Sequence, residues 1–342
     1  MLRVDNYTPF VPGMFLFPDA EGCDTLYVVL KATFSFAGGR LSIAGARRPI
    51  VVSDTFSAEP GASSLVYASE AHLLKPTTDV AVIGEAFAPG GRSTPSCAVL
   101  VSVGPVRKLV QVLGDRTWRT GIGGQRPSLP EPFVRMPVIY ERAFGGSHDP
   151  GRGEPAFEPR NPVGVGFRGN RSSAEMDGTP LPNIEDPRAL IQSPGDVPPP
   201  AGLGFVAPAW EPRRGLAGTY DEAWRKARAP YLPADFHPRF FQAATPDLVC
   251  PAPLVGGEPV ELANLSPEGA VRFRLPVCAF DVEITVGDRV ERPPMIMETV
   301  LLEPSESLVT LAFRGAVSCD KEALRIESAR FDVRSLRGVE GA

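Results

Sequence analysis

Three histidines are the side chains of this 342-residue sequence with the widest capacity for metal binding or acid–base chemistry. His72, His148 and His237 lie far apart, and none has a second histidine or a cysteine at the spacing of a metal-ligand pair. His148 and His237 stand close to acidic residues, as general acids and bases often do, but residue type without geometry does not make a catalyst. The pattern predicts no metal site and favours local hydrogen bonding by these side chains.

Carboxylates of the central region could form the pair that a carbohydrate or peptidoglycan hydrolase requires. Such a pair lies about 5–10 Å apart in space, a separation that sequence spacing does not report. The acids concerned are Glu141, Glu185, Asp186, Asp221, Glu222 and Asp235. Acids of this kind more often form salt bridges on the surface or within the fold. We therefore assign no catalytic residue and predict that the protein is not an enzyme.

One glycine pattern, GVGFRG at residues 164–169, matches the GxGxxG string of dinucleotide-binding loops. Such a loop must follow a buried strand and open a helix. Here the string lies between Asn161-Pro162 and Asn170, which are residues typical of turns. The glycines are therefore predicted to form turns, and the sequence predicts no cofactor.

Arginine is frequent in the same region, where its guanidinium group can stack on aromatic rings and donate to several acceptors. The residues are Arg142, Arg160, Arg168, Arg171, Arg188, Arg213, Arg214 and Arg239. They suit the fixing of irregular loops or a binding interface, and we favour the fixing of loops. Trp210 and Trp224 are predicted to be buried packing anchors, although exposed tryptophans are frequent binding hot spots.

Composition narrows the class of protein. The 34 glycines and 38 prolines disfavour long helices and favour short strands joined by turns. The 40 acidic and 35 basic residues are dispersed and give a net charge of −5, which disfavours nucleic-acid binding. No secretory signal and no apolar run of membrane-spanning length are recognisable, so a cytoplasmic protein without a membrane partner is expected. The 5 widely spaced cysteines predict no disulfide framework.

Alternation of apolar and polar residues predicts strands at both ends of the chain. The clearest is residues 26–36, whose even positions are apolar while Lys31 and Thr33 alternate with them, as in a half-buried strand. Further strands are predicted at 41–43, 50–52, 65–67, 79–88, 97–103, 107–113, 259–263, 271–275, 280–286, 296–302 and 308–313. The segments at 97–103 and 107–113 are expected to form a hairpin around Gly104-Pro105.

Strand periodicity fades in the central region, where proline, glycine, arginine and aromatic residues dominate. A loop region this long and this rich in aromatics is expected to be ordered and to carry function. One short helix is predicted at 220–228, capped by Thr219 and ended by Pro230. The predicted fold is mainly β, with antiparallel, sandwich-like sheets, a long ordered loop layer and one short helix. Its parts are a β-rich lobe at 1–120, the loop-rich region at 121–258 and a β-rich part at 259–342 that packs with the first as one compact unit.

An ordered series of motifs runs through the central region. The motifs are YERAFGG at 140–146, NPVG at 161–164, LPNIEDP at 181–187, WEPR at 210–213, GTYDEAW at 218–224 and PADF at 233–236. Their combination is far more specific than any single one, and it resembles the bacterial domain of unknown function 2169 family. The resemblance spans most of the chain and is densest at 137–276.

The resemblance implies a cytoplasmic adaptor or chaperone that stabilises an effector of the bacterial type VI secretion system and assists its attachment to the spike or tip protein. It implies no reaction, no cofactor and no small-molecule substrate. The motif residues that form the candidate partner surface are Tyr140, Glu141, Arg142, Phe144, Gly145, Gly146, Asn161, Pro162, Asn183, Trp210, Arg213, Thr219, Tyr220, Asp221, Trp224, Asp235 and Phe236. Each of them could build the loops or contact the partner, and the resemblance does not decide which.

Two other functions stay open at the level of sequence. The protein could be a hydrolase that uses two loop carboxylates, which would make it the toxin itself. It could also be a structural component that docks stably to the secretion spike. The adaptor differs from the first in showing affinity without turnover, and from the second in binding the effector.

Overall fold

The structure is a computed structural model and describes residues 3–151 and 153–341. The strands of the first part are β1 (Arg3–Asn6), β2 (Val11–Pro18), β3 (Asp24–Ser35), β4 (Ser42–Ile43), β5 (Thr55–Phe56), β6 (Leu65–Tyr67), β7 (Asp79–Val82), β8 (Glu85–Phe87), β9 (Ser96–Val103) and β10 (Val106–Leu113). The central region holds β11 (Trp118–Gly121), β12 (Gly124–Pro127), β13 (Arg135–Pro137), β14 (Phe144–Gly145), β15 (Ser147–His148), β16 (Ala156–Phe157), β17 (Val165–Gly166), β18 (Ile184–Glu185) and the helices α1 (Ser173–Met176) and α2 (Glu222–Ala227). The last part holds β19 (Pro259–Ala263), β20 (Ala270–Arg274), β21 (Val277–Val286), β22 (Arg289–Glu291), β23 (Ile296–Glu303), β24 (Leu308–Ser318) and β25 (Ile326–Arg337).

The larger sheets combine strands from both ends of the chain. The main sheet has the order β2-β3-β24-β23-β7, with β4 beside β3. A second sheet has the order β18-β10-β9-β19-β20, and a third has the order β1-β25-β21-β22. Most neighbours are antiparallel, whereas β7 runs parallel to β23 and β1 parallel to β25. The prediction of a mainly β fold with antiparallel sheets is confirmed.

The alternating apolar positions of β3 supply one wall of the hydrophobic core. Val28 and Leu30 are fully buried there. Aromatic rings extend the core towards the third sheet: Phe10 and Phe280 have centroids 5.8 Å apart, and Phe280 and Phe313 have centroids 5.0 Å apart. Burial of each such side chain contributes about 1.5–3 kcal/mol, so this core is the main source of stability.

The prediction that β3 is half-buried is wrong, because both of its faces are covered. Lys31 and Thr33 are 5% and 3% exposed. The Lys31 ammonium donates to the carbonyl oxygen of Pro49 at 2.9 Å and to the carboxylate of Glu70 at 3.0 Å. The segment at 48–75 thus lies over the outer face of the main sheet, and an ion pair neutralises the cation beneath it.

Two other predicted strands differ in the structure. Residues 50–52 form no strand, because Val51 is bound by Glu70 instead of by a neighbouring strand: the amide of Val51 donates to that carboxylate at 2.7 Å. The predicted strand at 79–88 is two strands, β7 in the main sheet and β8 beside β13, because the chain leaves one sheet for another near Gly84. The hairpin of β9 and β10 is confirmed.

The predicted helix is shorter than expected and has a different cap. Helix α2 begins at Glu222, and the Asp221 carboxylate accepts the amide of Trp224 at 2.8 Å. Thr219 does not cap the helix, because it donates to Asp235 instead. The one-turn helix α1, closed by a capping box, was not predicted from the sequence. Strands β2 and β25 were also missed.

Candidate interaction site

The motifs at 140–146, 161–164, 181–187 and 210–213 fold together into one buried cluster, here called the motif core. Its centre is Asn161, which is fully buried. The side-chain amide of Asn161 donates to the carbonyl oxygens of Tyr140 at 2.8 Å and Phe144 at 3.0 Å. Because carbonyl groups buried without a donor are costly, this one side chain holds the irregular backbone of the first motif in place.

Glycines let the backbone segments of the motif core approach each other closely. Gly145 has φ +153°. A methyl group at Gly145 would overlap the carbonyl oxygen of Asn161, and one at Gly164 would overlap the carbonyl oxygen of Ala143. The motifs YERAFGG and NPVG therefore need glycine for contact between their backbones.

Charged side chains join the other motifs to this centre. The guanidinium of Arg142 donates to the side-chain oxygen of Asn183 at 2.9 Å. Arg213, 7% exposed, donates to the carbonyl oxygens of Phe240 at 2.9 Å and Val206 at 2.6 Å. Burial lowers the pKa of Arg213 from its usual value. The ring of Trp210 packs edge-on against Tyr140, with centroids 5.4 Å apart. These contacts are internal to the protein.

Glu141 fastens the motif core to the segment that covers the main sheet. Its carboxylate accepts the amide and the hydroxyl of Ser64, each at 2.7 Å, and the hydroxyl of Ser57 at 3.0 Å. Burial by itself would raise the pKa of Glu141, but these hydrogen bonds outweigh it and lower the pKa below its usual value. The side chain therefore acts as an ionised structural acceptor.

The motifs at 218–224 and 233–236 lie in a different setting, an exposed segment here called the arm (residues 218–241). Asp235 closes the arm by accepting the amide of Thr219 at 3.0 Å and its hydroxyl at 2.7 Å. The indole N–H of Trp224 donates to the carbonyl oxygen of Tyr231 at 2.8 Å. Tyr220 packs against Trp224 but is 54% exposed. The arm is thus internally braced while part of its aromatic surface faces solvent.

Arg228 joins the arm to the turn between β2 and β3. Arg228 donates to the carbonyl oxygen of Ala20 and to that of Leu232, each at 2.8 Å. Between the arm, this turn, the outer face of β3 and β24, and residues 73–76 lies a groove of about 860 Å³. Its walls are mostly apolar, and they include Tyr27, Leu73, Leu74, Leu232, Phe236 and Phe241. We call it the arm groove.

The comparisons with known proteins agree with the motif series. A family profile described as an uncharacterized protein conserved in bacteria (DUF2169) matches residues 21–314. The chain belongs to the DUF2169 family. Neither the curated proteins nor the solved structures yielded a match. The matched residues include the motif core and the arm.

In this DUF2169 protein, the motif residues divide by burial. Those that are buried are Tyr140, Phe144, Gly145, Gly146, Asn161, Asn183, Trp210 and Arg213, and those that are half-buried are Glu141, Arg142, Pro162, Trp224 and Phe236. Those that are exposed are Thr219, Tyr220, Asp221 and Asp235. The prediction that Trp210 is buried is confirmed, whereas Trp224 keeps part of its surface accessible. The exposed residues of the candidate partner surface all lie in the arm.

The carboxylates weighed as a catalytic pair each have a partner within the DUF2169 chain. Glu185 forms a buried ion pair with Arg116, and Asp221 caps α2. Hydrogen bonds lower the pKa values of the other four. Arg188 donates to Asp186, Arg225 to Glu222 and Thr219 to Asp235, and the donors to Glu141 are described above. A glycosidase needs one carboxyl group with a raised pKa to act as general acid, which is opposite to the direction at Glu141, Asp186, Glu222 and Asp235.

The histidines are also separate from one another. His72 is buried beneath the arm groove, its ring stacked on Phe241 at 5.4 Å. Burial, helped by Arg314, lowers the pKa of His72 well below its usual value, so the ring is neutral at pH 7. His237 accepts the amide of Arg239 at 3.1 Å. Among the described residues, no group of three or more His, Cys, Asp or Glu side chains could hold a metal ion.

The glycine string at 164–169 lies in loops and in the short strand β17, which pairs with β14. Gly169 lies in a turn, whereas Gly166 belongs to β17, so the turn prediction is confirmed only in part. Most central arginines bind backbone carbonyls or neighbouring acids: Arg160 pairs with Glu158, and Arg171 donates to the carbonyl oxygen of Phe167 at 2.8 Å. These contacts agree with the prediction that the arginines of the central region fix irregular loops.

Sequence patterns missed the walls of the arm groove outside the motifs. Tyr27 belongs to a strand whose odd positions looked solvent-facing, and Leu74 stands in a stretch without periodicity. Only the 44% exposure of Leu74 in the fold marks it as accessible apolar surface. No helix of the described residues is both long and apolar enough to cross a membrane.

Proposed function

We propose that this protein is a non-catalytic adaptor that binds a type VI secretion effector and assists its loading onto the spike or tip protein. The observation that carries the proposal is the position of the arm. Part of the arm, including the motif residues Pro233, Ala234 and Phe236, forms a wall of a mostly apolar groove of about 860 Å³. A loop layer displayed on a rigid β scaffold is a common way to present a binding surface.

The charges of the arm groove favour a polypeptide as the occupant. Lys75 is paired with Asp79 at 2.9 Å, and both side chains are buried. Arg228 is engaged by the carbonyl oxygens of Ala20 and Leu232. Apart from the acids Asp19 and Glu21 at one end, the surface left for a partner is therefore mainly apolar and aromatic, which is the composition of protein interface centres. The paired carboxylates described above give no support to a hydrolase.

The test is co-expression with a candidate type VI effector and spike protein from the same genome, followed by affinity purification. We expect a complex with the effector and a higher yield of dissolved effector than without this protein. Absence of any complex, with unchanged effector yield and secretion, would contradict the proposal. Constitutive binding of the spike without effector would favour a structural component instead, and turnover of purified peptidoglycan would favour the hydrolase.

A matched pair of variants locates the surface. Leu74 lines the arm groove and is 44% exposed, whereas Ile122 is fully exposed in the turn between β11 and β12. Leu74→Ala is expected to lower effector recovery about tenfold, because it removes apolar surface that the partner would bury. Ile122→Ala is expected to leave recovery unchanged. Equal recovery with both variants would exclude the arm groove as the binding surface.

A further inference from the structure

Among the residues that the structure describes, the edge strand β2 of the main sheet has no neighbour on its outer side. Strand β2 pairs with β3 on one side only. The amide of Asp19 donates to the carbonyl oxygen of Cys23 at 2.9 Å. Because hydrogen-bonded pairs alternate along an antiparallel ladder, the backbone N–H and C=O groups of the odd-numbered β2 residues point towards β3. Pro12 and Pro18 occupy even positions, so their lack of an N–H removes no hydrogen bond between β2 and β3. The N–H and C=O groups of the even positions therefore point away from the sheet.

Two residues between those prolines carry the free hydrogen-bonding groups. Met14 and Leu16 each have an outward N–H and C=O. Within the part of the chain that the structure describes, neither residue makes a hydrogen bond beyond the β3 ladder. Leu16 is also 46% exposed. Unpaired backbone groups beside exposed apolar side chains are the features that allow another strand to add to a sheet.

The opposite edge of the same sheet is closed. At β7, the amide of Val82 donates to the carbonyl oxygen of Leu203, and the amide of Cys250 donates to that of Thr78, each at 2.9 Å. Loop segments of the central region thus take the place of a further strand there. The β7 edge of the main sheet is therefore covered by other segments of the chain, whereas the β2 edge is accessible in the described structure.

Strand β2 continues the apolar surface of the arm groove. Phe15 and Phe17 lie on the same face of the sheet as Tyr27, a wall of the groove. The rings of Phe15 and Phe17 are stacked with centroids 6.0 Å apart, and the centroids of Phe17 and Tyr27 are 6.5 Å apart. A strand added beside β2 would place every second side chain next to these phenylalanines. Backbone pairing would supply affinity, and the aromatic surface would select apolar residues.

One end of this surface is strongly acidic. The carboxylates that act on the thiol of Cys23, in the turn after β2, are Asp19, whose effect is largest, Asp320, Glu21 and Asp24. Together with burial they raise the pKa of Cys23. Arg228 is the opposing cation at this end, and it is held by the carbonyl oxygen of Ala20. The excess of negative charge complements Lys or Arg on an incoming segment.

We propose that the free edge of β2 accepts an extended segment of the partner polypeptide as an additional strand, with alternate apolar residues beside Phe15 and Phe17 and Lys or Arg near Glu21. This inference rests on the proposed function only in assigning that segment to the effector. Strand β2 has 8 residues. Its length is roughly 27 Å, so a segment of about six to eight residues covers it. Strand β2 precedes the residues 21–314 that the family profile matches.

The first test uses phage-displayed random 12-residue peptides selected on the full-length protein. We expect enriched peptides with alternating apolar residues and Lys or Arg towards one end. Leu16→Pro removes one outward N–H and, like Pro12 and Pro18, leaves the β3 ladder intact, so it is expected to weaken the selected peptide at least tenfold. Leu16→Val keeps the N–H and is the matched control, with a change of less than threefold. No enrichment, acidic peptides or equal binding by both variants would overturn the proposal.

A second measurement does not depend on how the variant folds. N-methylation of alternate peptide residues is expected to abolish binding in one register and leave it unchanged in the other, since only every second N–H pairs with β2. Equal effects in both registers would overturn strand addition.

A third measurement tests the charge at the acidic end. Glu21→Lys should weaken binding of the selected peptide at least fivefold, while Glu131→Lys, at an exposed acid outside the arm groove, should not weaken it.

The effector complex separates this inference from the proposed function. Hydrogen exchange of the complex is expected to show slowed amides at Met14 and Leu16. If the effector binds and these amides exchange as in the free protein, strand addition is wrong while the adaptor function stands. If no effector binds and the peptides still depend on Leu16, the adaptor function is wrong while the strand-binding edge stands.

Discussion

The motif core and the arm carry the same family motif series in opposite surroundings. In the motif core, Asn161 and Trp210 are 0% and 3% exposed, and their contacts are internal. In the arm, Tyr220 is 54% exposed, and Thr219 donates to Asp235 across the base of the loop. Both regions are irregular and rich in aromatic residues. In the motif core the polar side chains donate to backbone carbonyl groups, whereas the arm keeps apolar surface accessible.

Burial and hydrogen-bond partners, and not residue type, assign a role to each residue of these motifs. A buried donor that satisfies two carbonyl groups stabilises the fold, and its loss costs more than the bond itself. An exposed ring contributes little to folding and is free to contact a partner. Substitutions in the motif core should therefore lower stability, and substitutions in the arm should lower binding.

The largest effect is expected for Gly145→Ala. The added methyl group would overlap the Asn161 carbonyl oxygen at a residue with φ +153°. We expect the free energy of unfolding to fall by about 3 kcal/mol or more in urea denaturation. Gly178→Ala is the control: Gly178 has φ +78° and no atom within 4 Å of an added methyl group. It should cost only about 1 kcal/mol. Equal losses would contradict close packing of the motif core.

Asn161→Ala should be the next most costly change. It leaves the carbonyl oxygens of Tyr140 and Phe144 without their buried donor. The expected loss is about 2–3 kcal/mol, seen as a lower urea midpoint with an unchanged slope. Asn170→Ala, at an exposed asparagine, should change stability by less than about 0.5 kcal/mol. A similarly small change for Asn161→Ala would remove this residue from the centre of the motif core.

Arg213→Lys probes the boundary between the two regions, because Arg213 of the motif core donates to Phe240 of the arm. Lysine keeps the charge but cannot reproduce the fork that also reaches Val206, so we expect a loss of about 1–2 kcal/mol. Amide exchange at 236–241 should accelerate. The control is Arg214→Lys at the exposed neighbouring residue. Unchanged exchange would show that the arm is positioned independently of the motif core.

The pH dependence of stability reports on Glu141. Its pKa in the folded protein is below the usual 4.5, so its stabilising contribution is present above that value and is lost as pH falls through the folded pKa. The difference in unfolding free energy between the protein and Glu141→Gln should be constant above about pH 5 and shrink below about pH 4. A difference that stays constant on acidification would show that hydrogen bonds to the ionised carboxylate contribute nothing.

Tyr220→Ala should have the smallest effect on folding and a clear effect on binding. Removal of the exposed ring, which packs against Trp224, should cost less than about 1 kcal/mol. Effector recovery in the co-expression assay should fall about tenfold. Leu129→Ala, at a side chain 89% exposed, is the control for both readouts. Loss of stability without loss of binding would reverse the roles assigned to the arm and the motif core.

Much of the sheet structure could be predicted from residue alternation. The hairpin of β9 and β10 and the long strand β3 follow from a period of two, which is a local property of the backbone. Strand β2 was missed because Pro12 and Pro18 argue against a strand in any position except an edge. Edge position is set by which strands lie beside it, and that information comes from the whole chain.

A mainly β fold, an ordered loop layer rich in turns and membership of a family could be predicted from the sequence alone, because composition, alternation and motif order are properties of the chain. Tertiary packing settled which motif residues are buried, since burial depends on distant segments such as 48–75 above Lys31. It also decided that the arm faces a groove and that one edge of the main sheet stays open. Packing, and not residue type, separates the side chains that hold this protein together from those left free to bind.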